Sequence, residues 1–518
     1  MPNANLYALI EHRMPADRSA ICLRVPGGRD VTWRQLHEGA GRIAALLAAR
    51  GVPAGARLVA QVDKSPQALM LYLATLRSGM VYVPLNVAYH EAELRYFLQD
   101  AQPAVAVCGP HRVPLFTTLA PDAACFSLDE HGHGTLVQAS ESFGGEFATV
   151  PREPDQPATI VYTSGTTGRS KGAVLSHGNL AHSAIVLDEY WGFRQQREQG
   201  GRDVLLHALP LFHVHGLFVA CHAALFSGAT TIFLPRFDVG QIERELRHAT
   251  VMMGVPTFYT RLLQEASFDR AQCASVRLFV SGSAPLLRET FEEFQRRTGH
   301  TLLERYGMSE TLMLASNPYF GDPVRDRIAG TVGPALPGVQ IRIARADGAQ
   351  AAAGEVGMVE VRGPNVFSGY WRQPERKRED FTADGYFRTG DLGCLGAAGT
   401  PPDYLKLVGR VKDLIITGGY NVYPKEIEGY LDELPGVVES AVVGLPHPDF
   451  GEAVCAFVVM ESSSQLDAAQ VTACLKGQIA GFKVPKRIWQ LPELPRNAMG
   501  KVQKKLLREQ YADAFRDS

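Results

Sequence analysis

Tyr162-Thr-Ser-Gly-Thr-Thr-Gly-Arg-Ser-Lys171-Gly172 is the stretch on which the reading of this 518-residue chain turns. It follows Ile160-Val-Tyr, an apolar β-branched run that reads as a buried strand. Two glycines, a series of hydroxyls and one lysine share the turn, so backbone N–H groups and hydroxyls can wrap a polyphosphate while Lys171 adds positive charge. A Ser/Thr/Gly surface turn is the plain alternative, but such a turn seldom closes on a lysine followed by glycine after a buried strand. The Walker spacing, Gly-x4-Gly-Lys-[Ser/Thr], is not met, which disfavours the standard P-loop fold.

Working outward, the first 150 residues alternate apolar helical stretches (Gly41 to Ala49, Ala68 to Ser78) with short β-rich runs (Arg57 to Val62, Ala104 to Cys108). That alternation predicts α/β layers on a mostly parallel sheet. From Thr159 to about Pro337 the pattern repeats. Strands are expected at Ile160-Val-Tyr, Leu205 to Leu209, Thr231-Ile-Phe-Leu and Arg277-Leu-Phe-Val-Ser, with helices at Asn179 to Glu189, His215 to Phe226 and Thr257 to Ala266. After Gly338 the text becomes β-rich and Gly-punctuated, and a last unit begins near Gly409 and ends in a basic tail after Pro495. The expected fold is α/β: a large N-terminal part of two α/β sheet subdomains plus a β-rich subdomain, then a small mobile α+β part. Arg194 to Arg202 and Gly396 to Asp403 read as surface insertions.

Composition narrows the partners. With 52 basic and 54 acidic residues and a formal charge of -2, nothing in the overall balance calls for nucleic acid or an anionic membrane. Any anion must be held locally. The eight cysteines form no CxxC pair and read as reduced thiols. Met1-Pro-Asn-Ala-Asn-Leu-Tyr resembles neither a signal peptide nor a presequence, and no run approaches the roughly 18 apolar residues of a membrane span. The expectation is a cytoplasmic protein, monomer or weak homo-oligomer, whose partners are small molecules.

Further motifs follow the loop in order, and with it they resemble the adenylate-forming superfamily of acyl-CoA synthetases, adenylation domains and luciferases. In Arg305-Tyr-Gly-Met-Ser-Glu310, the resemblance implies that Tyr306 stacks on adenine and Glu310 holds Mg²⁺, with Gly307, Met308 and Ser309 beside the nucleotide. Ser309 stands where many members have threonine, and the hydroxyl is kept. Asp391, in Tyr386-Phe-Arg-Thr-Gly-Asp391-Leu, would accept hydrogen bonds from the ribose, and Arg410 would add a second ribose contact. Thr163, Ser164, Gly165, Thr166, Thr167, Gly168 and Lys171 would cradle the phosphates. Lys412, in Gly409-Arg-Val-Lys412-Asp-Leu, matches the hinge, and Pro495-Arg-Asn-Ala-Met-Gly-Lys501-Val matches the segment that carries the catalytic lysine. The implied domains are 1–409, which binds the nucleotide, and 410–518, a lid.

Such parts suit one reaction. A carboxylate is a poor electrophile, so its oxygen must first displace pyrophosphate from the α-phosphorus of ATP before a thiol can attack the carbonyl. Lys501, Glu310 with its Mg²⁺, and Thr163 would serve that step by neutralising charge. Thiol attack by coenzyme A needs Lys501 withdrawn, which the resemblance assigns to rotation about Lys412, bringing Gly418 and Gly419 in to line the pantetheine path.

The acid is the finer question. His213 and His215, two residues apart, invite a metal reading, but no third ligand is motivated, and His213 reads as a pocket wall or a donor to a substrate oxygen. Arg261, one helical turn after Thr257, would pair a second carboxylate if it pointed inward, or be solvated on the wet face of its helix. Runs such as Leu209-Pro-Leu-Phe-His-Val-His-Gly-Leu-Phe and Met253-Gly-Val-Pro-Thr-Phe-Tyr-Thr-Arg-Leu-Leu are similar to those of bacterial malonyl-CoA synthetases. That resemblance implies that Arg261 and Ser283 hold the distal carboxylate, Ser283 also lying beside the nucleotide, while Val214 and Met313 bound the space at C2. The expected reaction is malonate, ATP and CoA giving malonyl-CoA, AMP and pyrophosphate, with methylmalonate also admitted. Another short-chain or aryl acid, or loading of a carrier protein, is the alternative.

Overall fold

A computed structural model describes residues 3–163, 170–418, 420–461, 467–497 and 501–516, the side chains of Lys377 and Asn421 excepted. Among these, helices start where local chemistry favours it. Thr32 caps the helix Trp33–Ala49, its hydroxyl accepting from Gln35 N while the Gln35 side chain returns to the Thr32 amide. Ser176 and Asn179 close the same kind of box on the helix His177–Tyr190. Ser65 caps the helix Pro66–Arg77, which has proline in its first turn. The apolar faces of these helices cover two sheets and bury Trp33, Tyr72 and Trp191 completely.

The first sheet has six strands in the order Ala124–Ser127, Val105–Cys108, Arg57–Gln61, Val81–Pro84, Pro157–Thr163, Lys171–Ser176. It is parallel except for the last pair, a hairpin whose register sets Thr163 opposite Lys171. The second has eight, in the order Leu312–Ser316, Leu303–Met308, Leu278–Ser281, Val251–Gly254, Val204–His207, Thr230–Phe233, Ile21–Arg24, Val31–Thr32.

The α/β alternation is as expected, but the two halves exchange strands. Ile160-Val-Tyr, read with the second half, completes the first sheet, where the Thr159 hydroxyl donates to Tyr82 O at 2.7 Å. Ile21–Arg24, from the first 150 residues, lies parallel to Thr230–Phe233 in the second sheet. Strand periodicity reports burial and is blind to which sheet receives the strand. The stretch from Arg194 is also more ordered than an insertion: Phe193–Glu198 is helical, Phe193 is buried, and Arg194 pairs with Glu189 and Glu198.

A four-stranded antiparallel sheet follows, Gln340–Ala344, Gly357–Arg362, Phe387–Leu395, Leu405–Arg410, and sets Asp391 directly opposite Arg410. The C-terminal part is α+β: the long hairpin Val437–His447 and Gly451–Met460 is flanked by Ile415–Thr417, Tyr420–Val422 and Arg487–Gln490 and covered by the helices Pro424–Asp432, Ala468–Lys476 and Lys504–Gln510. This part rests against the larger one, where the buried Glu304 carboxyl, pushed up in pKa by its burial, feels the Lys425 cation at the start of the helix Pro424–Asp432. Among the described residues, no helix is long and apolar enough to cross a membrane.

Candidate active site

Three clusters meet in the cleft between the two parts. The first surrounds Glu310, buried after the strand Leu303–Met308. Its Oε1 accepts from Thr163 Oγ1 at 3.2 Å and from the Tyr370 hydroxyl at 3.0 Å. The same Tyr370 ring lies 4.9 Å from Lys171 Nζ, so hairpin, carboxylate and lysine are held together. Burial raises the Glu310 pKa and lowers that of Lys171: each charge has lost water, and among the described residues neither forms an ion pair. One carboxylate with hydroxyls beside it is a hard oxygen donor set, which suits Mg²⁺ arriving with a polyphosphate. Among the described residues no cluster of three or more His, Cys, Asp or Glu side chains could form a complete metal cage, as is usual where phosphates supply the remaining ligands. Ser164, Gly165, Thr166, Thr167 and Gly168, assigned to phosphate binding, lie outside the described residues.

The second cluster is on the nucleotide side. Asp391 accepts from the Tyr306 hydroxyl at 2.5 Å and pairs with Arg410 Nε at 2.8 Å. Burial and the Asp391 charge push the Tyr306 phenol well above its ordinary pKa, so it stays a donor and locks the ring in place. Gly307 must be glycine, because a Cβ there would come 2.0 Å from Leu312 O. Met308 and Ser309, half-buried, complete the turn.

The third cluster is on the acyl side. A π-helical turn, His215–Cys221, follows His213 and buries His215, whose Nδ1 lies 3.2 Å from Ser283 Oγ. Ser283 has φ 71°, a left-handed conformation that is costly for a non-glycine residue and is often found where a binding site requires it. Among the described residues, four polar atoms here are buried without a hydrogen-bond partner: His213 Nε2, His215 Nε2, Ser281 Oγ and Arg305 Nε. So dense a group of unsatisfied atoms indicates that a polar ligand completes them. Burial holds both imidazoles neutral, with the His213 pKa down at about 3. Met313 is buried in the wall.

Lys501 joins the clusters electrostatically. The backbone on either side of it is tied down: its amide donates to Asn497 Oδ1 at 3.0 Å, and Asn497 N donates to its carbonyl at 3.0 Å. Its charge is felt at His213 and His215, and it feels Arg410, Asp391, Arg305 and Glu310. By surface area Lys501 is exposed, yet the protein mass around the cleft disfavours its charge and lowers its pKa to about 8. The two facts agree if the chain runs down a narrow, wet cleft, where water touches the side chain but cannot fully solvate the ammonium.

Other expected residues lie apart. Arg261 is exposed on the helix Pro256–Leu263, 6.0 Å from the Phe237 ring, and forms no ion pair among the described residues. Lys412 sits in the 3₁₀ turn Val411–Asp413 immediately after Arg410, and Asp413 in that turn is tied to Arg508 at 2.8 Å. Gly418 is exposed beside Phe450, and Gly419 lies outside the described residues. Two residues that the motifs did not single out stand at the centre: Tyr370, in a loop with no marking pattern, and Arg305, in the strand Leu303–Met308 next to Glu304.

The profile of the AMP-binding enzymes matches residues 10–371, and that of the AMP-binding enzyme C-terminal domain matches residues 426–501. A malonate–CoA ligase from Arabidopsis thaliana is 37% identical over 490 residues, covering 88% of this chain and 78% of the relative. The ATP-bound structure of MatB from Rhodopseudomonas palustris aligns with a TM-score of 0.94 at 49% identity, over 99% of this chain and 100% of that one. The apo structure of the same protein aligns over the same shares and at the same identity with a TM-score of only 0.82. As a whole, the chain therefore superposes more closely on the ATP-bound form than on the apo form.

Proposed function

The chain belongs to the AMP-binding enzymes, and from that premise we propose that it ligates malonate to coenzyme A, consuming ATP and releasing AMP and pyrophosphate. The observation that carries this reading is the convergence of Lys501 on two unlike clusters: Tyr306, Asp391 and Arg410 on one side, and the partnerless donors around Ser283 on the other. One half suits a nucleoside and the other an anionic acid, with a cation between them. In the first half-reaction a malonate oxygen attacks the α-phosphorus and pyrophosphate leaves. In the second, the thiol of CoA gives up its proton, its sulfur attacks the carbonyl, and AMP departs.

Thr163, Lys171 and the loop between them would hold the leaving pyrophosphate. Glu310 would hold Mg²⁺, which supplies charge neutralisation on the phosphates when bound. Arg261 and Ser283 would take the distal carboxylate, beside His213 and Met313. Residues 1–409 act as the adenylating domain and 410–518 as the lid, pivoting at Lys412 to withdraw Lys501 and present Gly418 and Gly419 to pantetheine.

Pyrophosphate release measured with malonate, methylmalonate, succinate, acetate and benzoate tests the assignment. Malonate is expected to lead, with methylmalonate next. A preference for acetate or benzoate would remove malonate as the substrate and leave the two-step chemistry standing.

The Lys501 pKa sets a pH dependence. The ammonium is the useful form, and its folded pKa of about 8 lies below the ordinary lysine value. The charge is therefore present below pH about 8 and lost above it. For the free enzyme, kcat/KM in ATP–pyrophosphate exchange should be level up to that pH and then fall about tenfold per unit. Lys501→Arg, whose charge persists to high pH, should abolish the alkaline limb at a lower absolute rate. A wild-type profile still level at pH about 9.5 would count against the role of Lys501.

A further inference from the structure

We propose that Lys64 and His207 are positioning residues for the acyl side of the site: together they hold the π-helical turn that presents His215 to Ser283. The inference rests on the reading of the Ser283 side as the place where the acid binds, and not on which acid it is.

Lys64 follows the strand Arg57–Gln61 of the first sheet, and His207 ends the strand Val204–His207 of the second. Both are buried, at 9% and 1% exposed. Lys64 Nζ lies 2.8 Å from the His207 carbonyl oxygen, 2.5 Å from His207 Nδ1 and 4.4 Å from the centre of the Phe233 ring. Among the described residues it forms no ion pair. An ammonium taken out of water without a carboxylate is costly, so a lysine here calls for a reason beyond packing. Burial brings its pKa down to about 7, and charged or neutral the group still offers N–H donors. Its use in this place is to donate.

The chemistry of His207 fixes what that donation does. Its Nε2 lies 2.8 Å from Gly216 O, a carbonyl that can only accept, so Nε2 carries the proton. Burial and the Lys64 charge hold the imidazole neutral, which leaves a lone pair on Nδ1, and Lys64 supplies the hydrogen for it. One ring thus takes a hydrogen from the first sheet and gives one to the turn. Nε2 is also 3.4 Å from Cys221 Sγ, so His207 meets the π-helical turn His215–Cys221 near both of its ends. Such turns are rare and tend to occur at functional sites. This one is closely placed: a Cβ on Gly216 would come 2.0 Å from Pro210 O. His215, directly before Gly216, sets its Nδ1 3.2 Å from Ser283 Oγ. Losing the hold on the Gly216 carbonyl frees the turn one residue from His215, and with it the contact to Ser283.

The test is ATP–pyrophosphate exchange with whichever acid leads the pyrophosphate-release comparison, malonate on the present reading, so a failure of that reading leaves this test standing. Lys64→Met replaces a buried ammonium by an apolar chain of similar length and is expected to fold. In it the KM for the acid should rise about tenfold, while the ATP KM stays within about threefold. His207→Leu should show a loss of the same size, and the double variant should lose no more than the larger single loss, because both residues act through one turn. His207→Gln can still accept from Lys64 and donate to Gly216, and should recover most of the loss. If His207→Leu does not fold, Lys64→Met decides. An unchanged KM for the acid in folded Lys64→Met, an ATP KM that rises as much as that for the acid, or losses that multiply in the double variant overturns the assignment. Residues that only brace the two sheets would lower stability without choosing between the two substrates.

Discussion

Lys501→Ala is expected to slow adenylate formation by about 10²- to 10³-fold, while thioester formation from added malonyl-adenylate and CoA stays within about threefold of wild type. The first effect follows from the position of the ammonium. It stands between the acyl-side imidazoles and the Asp391–Arg410 pair, where the attacking carboxylate and the α-phosphate, both anions, have to approach. A preorganised cation in a cleft that solvates it poorly costs no reorganisation during the reaction, so its removal is felt almost wholly in the transition state. The second effect follows from geometry. An ammonium in the cleft would lie across the path of a thiol, so the thioester step needs the lid elsewhere, and in that arrangement Lys501 has nothing to do. Pyrophosphate release measured alone, and CoA consumption measured with supplied adenylate, separate the two. If both fall together, Lys501 supports the lid as a whole and its specific role in adenylation is wrong.

Much of this site is legible in the sequence because its parts are local. The strand, turn and lysine around Thr163 lie in one short stretch, and their hairpin register follows from strand pairing. Tyr306 and Glu310 stand in one motif, and each side chain goes to a different neighbour. The pairing of Asp391 with Arg410 is less local, but an antiparallel hairpin sets them opposite each other. Sequence reading fails where tertiary assembly decides. The exchange of Ile21–Arg24 and Pro157–Thr163 between sheets leaves no periodic trace, because a buried strand looks the same in either sheet. Tyr370 enters from a loop that closes on Gly172, where the Trp371 amide donates to the Gly172 carbonyl at 2.7 Å, and an aromatic residue in a loop carries no mark of such a contact. Arg305 stands within the same motif as Tyr306 and carries no mark of its own, because an arginine beside a functional tyrosine can be paired or solvated as readily as left alone. Only the packing shows that it is buried with no acid paired to it among the described residues.

Arg261→Ala should raise the malonate KM by roughly 10- to 100-fold, leave the ATP KM within about threefold and lower kcat little, since a distal carboxylate is held equally in ground and transition states. Arg261 differs from Arg305 in a way that sets the size of its effect. It is exposed, touches only the Phe237 face and forms no ion pair among the described residues, so water already solvates it and salt screens it. Its contribution should therefore lie toward the lower end of that range and shrink as ionic strength rises, whereas the loss in Arg305→Met, which removes a buried guanidinium 3.5 Å from Ser283 Oγ, should hardly change with salt. If both guanidiniums serve one carboxylate, the double variant should lose less than the product of the single losses, because removing either one already weakens the hold that the other completes. Strict multiplication would mean that the two arginines act on different groups. A malonate KM unaffected by Arg261→Ala at low salt would take Arg261 out of the pocket and leave the second carboxylate to Arg305 and Ser283.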